Sequence, residues 1–371
     1  MLGEVGSFTK GAPLSKADIS EEGTPFILYG ELYTTYNEVT NAIVRKTDKT
    51  ADSSQYSRIG DVIIPTSGET PEEIATATCV MLPNVILAGD LNIFRSTKVD
   101  GRIISYIINH IVNQDISRVA QGKSVVHIKA DELSKIRINY PNSEEQKKLI
   151  RFLEILSARI EKQCQFVEAL KSYKRGFLNS YISQNEQDWS KVRLSDILTE
   201  RKEYCEKDGT YPHATLSKDG VYGKTDRYDR DYLVSSDDKK YKVTHKGDLC
   251  YNPANLKFGV ICINTYGDAI FSPIYITFEI SEQHNTEFVG AYLMRPDFIN
   301  QALRFQEGTV YERMAVSPDD LLAMSIHLPP KSEQNKLAEG LSKMQIKIQA
   351  EEEVLNKTVL LKKALLSLLF I

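Results

Sequence analysis

The sequence predicts an α+β protein built as an internal repeat. Two similar globular parts of mixed β/α character are separated by two long antiparallel coiled-coil helices in a pseudo-twofold arrangement. Three observations predict it. Residues recur in the same order about 188 positions apart, two charged segments carry heptad seams, and short β-like runs alternate with Gly/Pro/Asp turns.

The repeat is most visible between 121-QGKSVVHIKADELSKIRINYPNSEEQKKL-149 and 307-EGTVYERMAVSPDDLLAMSIHLPPKSEQNKL-337. Leu133 falls on Leu321, Ile138 on Ile326, Pro141 on Pro329 and Gln146 on Gln334, each pair 188 apart. Further back, Gly122 meets Gly308 and Tyr106 meets Tyr292. Ile93-Phe94 meets Thr277-Phe278, Gly60-Asp61 meets Gly247-Asp248, and Leu2-Gly-Glu-Val meets Leu194-Ser-Asp-Ile. Four segments follow: a globular part over 1–142, a long helix over 143–182, a second globular part over 183–330 and a second long helix over 331–371.

The globular parts have β-like runs at Phe26–Tyr29, Val62–Ile64, Val85–Leu87, Val260–Ile263 and Ile274–Phe278. A helix-like run follows in each, Ile103–Val112 and Phe288–Met294. The charged segments place Leu149, Leu153, Leu156, Ile160, Gln163, Val167, Leu170, Lys174 and Phe177 at alternating steps of four and three. The second copy gives Leu337, Leu341, Met344, Ile348, Glu351, Leu355, Thr358, Lys362 and Leu365. Polar interruptions recur in both seams, at Gln163 and Lys174 and at Glu351 and Lys362, which suggests a defined register. About 40 residues of helix span ~60 Å, more than one small domain can cover. A proline and a serine cap open each helix, at Pro141-Asn142-Ser143 and Pro330-Lys331-Ser332.

Composition narrows the class. The 371 residues are 42% hydrophobic and 26% charged, as in an ordinary soluble protein of about two domains. No apolar run reaches the ~18 residues that cross a bilayer, and no signal-peptide pattern opens the chain. Five scattered cysteines without CxxC read as reduced thiols in the cytoplasm. Six scattered histidines have no metal-ligand spacing, so neither metal nor cofactor is expected. The globular parts are acidic, −3 and −6, and the helices mildly basic, +3 and +2. That balance disfavours tight DNA binding by this chain alone, because phosphate neutralisation supplies most non-specific affinity.

These motifs, taken in order, resemble the specificity subunit of type I restriction-modification enzymes. The resemblance covers essentially the whole chain. It rests on 2-LGEVGSFTKG, 19-ISEEGTPFILYGELYT, 60-GDVIIPTSGE and 122-GKSVVHIKADELSKIRI in the first half, on 247-GDLCYNPANLKFGVI and 318-PDDL in the second, and on the paired entries Glu145–Leu149 and Glu333–Leu337. The chain begins almost directly at the first recognition domain. The resemblance implies two target-recognition domains that read a bipartite, asymmetric site in double-stranded DNA. It also implies two methyltransferase subunits and a restriction/translocase subunit as partners, with no catalysis in this chain.

Candidate DNA contacts follow from side-chain chemistry. Tyr29, Tyr33 and Thr34 crowd the loop 29-YGELYTTYNE, and Lys10 and Lys16 can reach phosphates. Gln121, Lys123 and Ser124 offer a bidentate amide, a cation and a hydroxyl beside a glycine. Their counterparts are Gln306, Thr309, Tyr311 and Arg313. Arg201, Lys202, Lys218, Lys224, Asn255 and Lys257 complete the set. A solvated loop is the competing reading for each. Enzymatic motifs are broken or missing. In 251-YNPANLKF, Ala254 and Asn255 replace the second proline and the aromatic of an amino-methyltransferase motif, and no glycine-rich cofactor loop or P-loop occurs. A coiled-coil protein that bridges other proteins without reading DNA is the alternative, and methyl transfer by this chain ranks third.

Overall fold

The computed structural model describes residues 1–120, 126–206, 209–218, 220–223, 240–305 and 315–369. The chain divides into two compact units, Met1–Gln165 with Glu352–Ile371, and Phe166–Glu351.

Among the described residues of the first unit ten strands form three sheets: β1 (Gly6–Lys10), β2 (Thr24–Leu28), β3 (Val39–Thr40), β4 (Arg45–Thr47), β5 (Asp61–Pro65), β6 (Ser67–Gly68), β7 (Thr78–Val80), β8 (Ile86–Ala88), β9 (Leu91–Ser96) and β10 (Val126–His127). The main sheet runs β1-β9-β5-β7-β3, with β4-β2-β8 and β10-β6 beside it. β5 reads DVIIP and is buried along its whole length, so an unbroken apolar run suits its central place. Short helices accompany the strands: α1 (Glu31–Thr34), α2 (Pro71–Ile74), α3 (Gly101–His110), α4 (Asn113–Val119) and α5 (Ala130–Ser134). α3 is amphipathic, with Ile103, Ile104, Ile107 and Ile108 buried, and the Asp100 side chain caps it by accepting the Arg102 N–H.

The second unit repeats the plan. Its strands are β11 (Ser190–Arg193), β12 (Leu198–Glu200), β13 (Tyr204–Cys205), β14 (Ala214–Ser217), β15 (Gly220–Gly223), β16 (Tyr241–Thr244), β17 (Leu249–Tyr251), β18 (Ile261–Ile263), β19 (Ala269–Phe271), β20 (Ile276–Ile280) and β21 (Ser325–Leu328). Its main sheet, β12-β20-β17-β18, has the order of β1-β9-β5-β7. β13-β16-β19, β14-β15 and β11-β21 complete the unit. Aligned residues hold matching places. Phe94 and Phe278 are fully buried in β9 and β20, and Leu133 and Leu321 are fully buried in short helices. Gly60 and Gly247 both turn the chain with positive φ, 92° and 96°, a conformation that favours glycine.

α6 (Ser143–Asn185), α7 (Thr286–Leu293), α8 (Pro296–Ala302), α9 (Pro318–Ala323) and α10 (Lys331–Leu369) follow in chain order. Every seam position predicted for α6 and α10 is buried or half-buried. In the first unit Ile150 and Leu153 of α6 share a core with Leu366 of α10. In the second, Leu178 and Ile182 share one with Leu337 and Leu341. The early part of one helix thus packs on the late part of the other, as antiparallel helices require. The polar seam positions find partners: Lys362 Nζ lies 3.0 Å from Glu38 Oε2, and Lys174 Nζ donates to Gln345 Oε1 at 2.8 Å.

The predicted serine caps are corrected. Asn142 caps α6, its Oδ1 accepting the N–H groups of Glu144 and Glu145 at 3.0 and 3.1 Å, while Glu145 reaches back to the Asn142 N–H. Ser332 lies inside α10. The second short helices, α4 and α8, were not legible in the sequence. NQDISRV buries only Ile116, too little for a periodic signal.

Candidate nucleic-acid interface

In the first unit the ends of β1, β2 and β8 converge on a cleft of about 850 Å³. Lys10 lines it from the last position of β1 and Lys16 from the segment that follows, Tyr29 and Gly30 from the end of β2, and Thr66 and Asp90 from the β5–β6 and β8–β9 turns. The sequence scattered these three candidates over 20 positions, and the sheet brings them together. Both lysines are exposed, and Tyr29 is 38% exposed. Asp90 is the opposing charge, and it accepts the Ser67 hydroxyl at 2.8 Å. Tyr33 stands behind Tyr29, ring centroids 6.4 Å apart, and donates its hydroxyl to the Ser67 carbonyl at 3.1 Å. Burial, with help from the Glu73 charge, pushes the Tyr33 phenol up, so it stays a donor. Thr34 is exposed and donates to the Gly30 carbonyl at 3.2 Å. A cleft with two free-standing cations and an aromatic wall can hold a phosphate chain beside a stacked or edge-on ring. β10 enters next to it: Ile128 N–H donates to the Thr66 carbonyl at 3.0 Å.

The second unit places its candidates on three elements. Lys202 follows β12 and is 76% exposed, with Glu200 3.7 Å away. Sheet register makes it the counterpart of Lys10: Lys10 pairs with Asn92 two places from the Phe8–Phe94 pair, and Lys202 lies two places beyond the Glu200–Phe278 pair. Lys218 is exposed on the turn between β14 and β15. Asn255 is half-buried and Lys257 exposed on the helical turn Pro253–Phe258, where the Lys257 ammonium sits 5.0 Å from the Phe258 ring centroid. Phe258 and Tyr266 are exposed, at 65% and 45%, and sequence reasoning missed both, because lone aromatics in loops give no pattern.

Arg201 has a different environment from the exposed lysines. Its guanidinium makes a bidentate pair with Asp248, Nε–Oδ2 2.9 Å and Nη2–Oδ1 3.0 Å. Those hydrogen bonds push its pKa up. The first unit builds the same lock from another strand: Arg95 of β9 holds Asp61, Nε–Oδ2 3.2 Å. His245 lies beside the second lock between Asp268 (3.0 Å) and Glu203 (3.3 Å). Burial opposes its charge, but these two hydrogen bonds outweigh burial and raise its pKa.

Gln121, Lys123, Ser124, Lys224, Gln306, Thr309, Tyr311 and Arg313 lie outside the described residues. Asn252, the first residue of the broken methyltransferase-like motif, turns its Oδ1 to its own backbone and accepts the Ala254 and Asn255 N–H groups at 3.1 and 3.3 Å. Among the described residues no group of three or more His, Cys, Asp or Glu side chains is placed to hold a metal. None of their helices is long and apolar enough to cross a membrane.

The family model of the type I restriction modification DNA specificity domain matches residues 1–166 and again residues 186–359. The chain belongs to this family. Each match contains one main sheet with its short helices and most of one long helix. The fold agrees. A crystal structure of a type I restriction-modification system S subunit from M. genitalium is similar over 100% of this chain and 95% of that one, with a TM-score of 0.58 and 14% identity. A second structure, titled for complex assembly and conformational transition of the type I R-M system, is similar over 100% and 96%, with a TM-score of 0.58 and 15% identity. At such identities the likeness is one of fold. No curated protein matches the sequence.

Proposed function

We propose that this chain is the DNA sequence-specificity subunit of a type I restriction-modification complex. Its two recognition units read the two parts of an asymmetric target, and it holds two methyltransferase subunits and a restriction/translocase subunit in the cytoplasm. The observation that carries this reading is the doubled unit within a DNA-specificity family: two main sheets of one strand order, each presenting an exposed lysine at the same register, Lys10 and Lys202.

In the first unit Lys10, Lys16 and Tyr29 are the proposed contacts, with Tyr33 and Thr34 supporting them. In the second they are Lys202, Lys218, Asn255 and Lys257. Gln121, Lys123, Ser124, Lys224, Thr309, Tyr311 and Arg313 remain proposed on their chemistry alone. Arg201 is proposed as a support that holds the strand bearing Lys202, because Asp248 occupies its guanidinium. The chain is proposed to be non-catalytic, with methyl transfer supplied by the partners. The acidic globular parts fit that division, since partners then provide most of the phosphate grip. The long helices offer the partners exposed apolar side chains, Phe152, Ile155, Phe166 and Tyr173 on α6 and Val354, Leu361 and Leu368 on α10.

Native mass spectrometry of the purified chain with excess methyltransferase subunit tests the assembly. Two methyltransferases per chain, and methyl transfer to DNA by the complex but not by the chain, are the expected results. A strict one-to-one complex, or methylation by the chain alone, contradicts the proposal. A complex that assembles but shows no sequence-dependent DNA binding supports the bridging alternative.

A further inference from the structure

Among the side chains that join each long helix to its globular unit, one glutamine makes the same pair of bonds in both units. Gln146 is the fourth residue of α6 and 7% exposed, and Gln334 is the fourth residue of α10 and 1% exposed. In the first unit Gln146 Oε1 accepts the backbone N–H of Asp100 at 2.9 Å, and Nε2 donates to the Pro141 carbonyl at 2.9 Å. In the second unit Gln334 Oε1 accepts the backbone N–H of Asn285 at 2.9 Å, and Nε2 donates to the Pro329 carbonyl at 2.9 Å. Asp100 and Asn285 are the N-caps of α3 and α7. One planar amide therefore ties together the start of the long helix, the proline before it and the start of the domain helix.

The surroundings of the two amides differ. In the first unit Arg102 reaches Glu154 of α6 at 2.5 Å. In the second, Ser342 of α10 donates to Glu287 at 2.6 Å, and Asn285 Nδ2 donates to Asn335 Oδ1 at 2.9 Å. The glutamine bonds are what both junctions keep. Only an uncharged amide supplies one acceptor and one donor on a single plane at this reach; an ionised glutamate only accepts, and methionine offers neither strong group. Burial of the two glutamines makes the bonds costly to break, because an amide that loses them keeps its own donor and acceptor away from water.

We infer that Gln146 and Gln334 are positioning residues that lock each recognition unit in one orientation on its long helix, and so fix the spacing between the two half-sites. The inference rests on the proposed function for its DNA consequence, but the lock itself can be measured without DNA.

The test uses the full chain with Gln146→Met, Gln334→Met and the double substitution, which keep side-chain volume and remove both bonds. Amide hydrogen exchange of the free chain should accelerate about tenfold to hundredfold at Asp100 or Asn285, and remain unchanged in β5, β9, β17 and β20. In complex with the methyltransferase, each single variant should leave both half-site sequences as they were and admit spacers one base pair longer or shorter. The double variant should be the most tolerant. Gln146→Glu, which keeps only the acceptor, should fall between wild type and methionine, and it carries the same measurements if the methionine variants do not fold. Unchanged exchange at Asp100 and Asn285 overturns the lock. Accelerated exchange with a spacer as strict as wild type overturns its role in spacing. A wild-type complex that methylates no two-part site overturns the proposed function instead, and the exchange result still decides the lock.

Discussion

Glu38 shows how one residue ties a globular unit to the coiled coil. Its carboxylate receives His110 Nε2 at 2.8 Å and Lys362 Nζ at 3.0 Å. Burial pushes the carboxyl up, but the His110 hydrogen bond and the Lys362 charge outweigh it and hold the pKa down at about 2. A depressed carboxylate contributes stability above its unfolded pKa and loses it as pH falls through the folded value. The Glu38 contribution should therefore be complete above pH 4.5 and vanish toward pH 2, with an upper size of about 3 kcal/mol. Urea unfolding of wild type and Glu38→Gln across that range should show a gap that closes on acidification, whereas a constant gap contradicts the assignment. Lys10 and Lys202 give a second prediction at this scale. Alanine at either should weaken DNA binding of the assembled complex for all sequences alike and lower the salt slope by about 1. A change of preferred sequence would mean that the lysine reads bases. The sequence offered these two lysines as separate candidates on side-chain chemistry, and only the sheet register pairs them. It did not expose the fate of Arg201, whose partner Asp248 lies 47 positions away and becomes adjacent only when β17 pairs with β20.

At the scale of the element, the long helices were the most legible part. All the seam positions face inward because a sustained alternation of four and three leaves a helix one way to bury its apolar residues. The glutamine junctions were visible only as matched letters, since a bond from a side chain to a distant backbone has no period. The two seam lysines make a contrast. Lys362 meets a carboxylate, whereas Lys174 meets the neutral Gln345, and burial lowers the Lys174 pKa with Glu287 only partly opposing it. Lys362→Met should destabilise by roughly 1–2 kcal/mol, because it takes the cation from Glu38 and leaves it the His110 contact alone. Lys174→Met should be neutral or raise Tm. Thermal unfolding of the two variants checks this directly, and equal losses would show that the seam tolerates neither change for packing reasons.

On the scale of the whole molecule, α6 and α10 are proposed to act as a ruler. Inserting seven residues after Gln165 and seven after Glu351 keeps both seams in phase and adds ~10.5 Å of helix. At ~3.4 Å per base pair, the unread spacer should lengthen by about three base pairs with both half-sites unchanged. An unaltered spacer with full activity would remove the ruler. The target bases themselves were not legible, because base-edge recognition depends on loop geometry that side-chain identity alone does not fix. The most direct test of the central claim is methylome mapping of cells that carry this chain with its methyltransferase subunit. The account predicts one asymmetric motif in two parts, separated by a fixed unread spacer and absent when the chain is deleted. A single uninterrupted motif, or a methylation pattern that survives deletion of the chain, would contradict it.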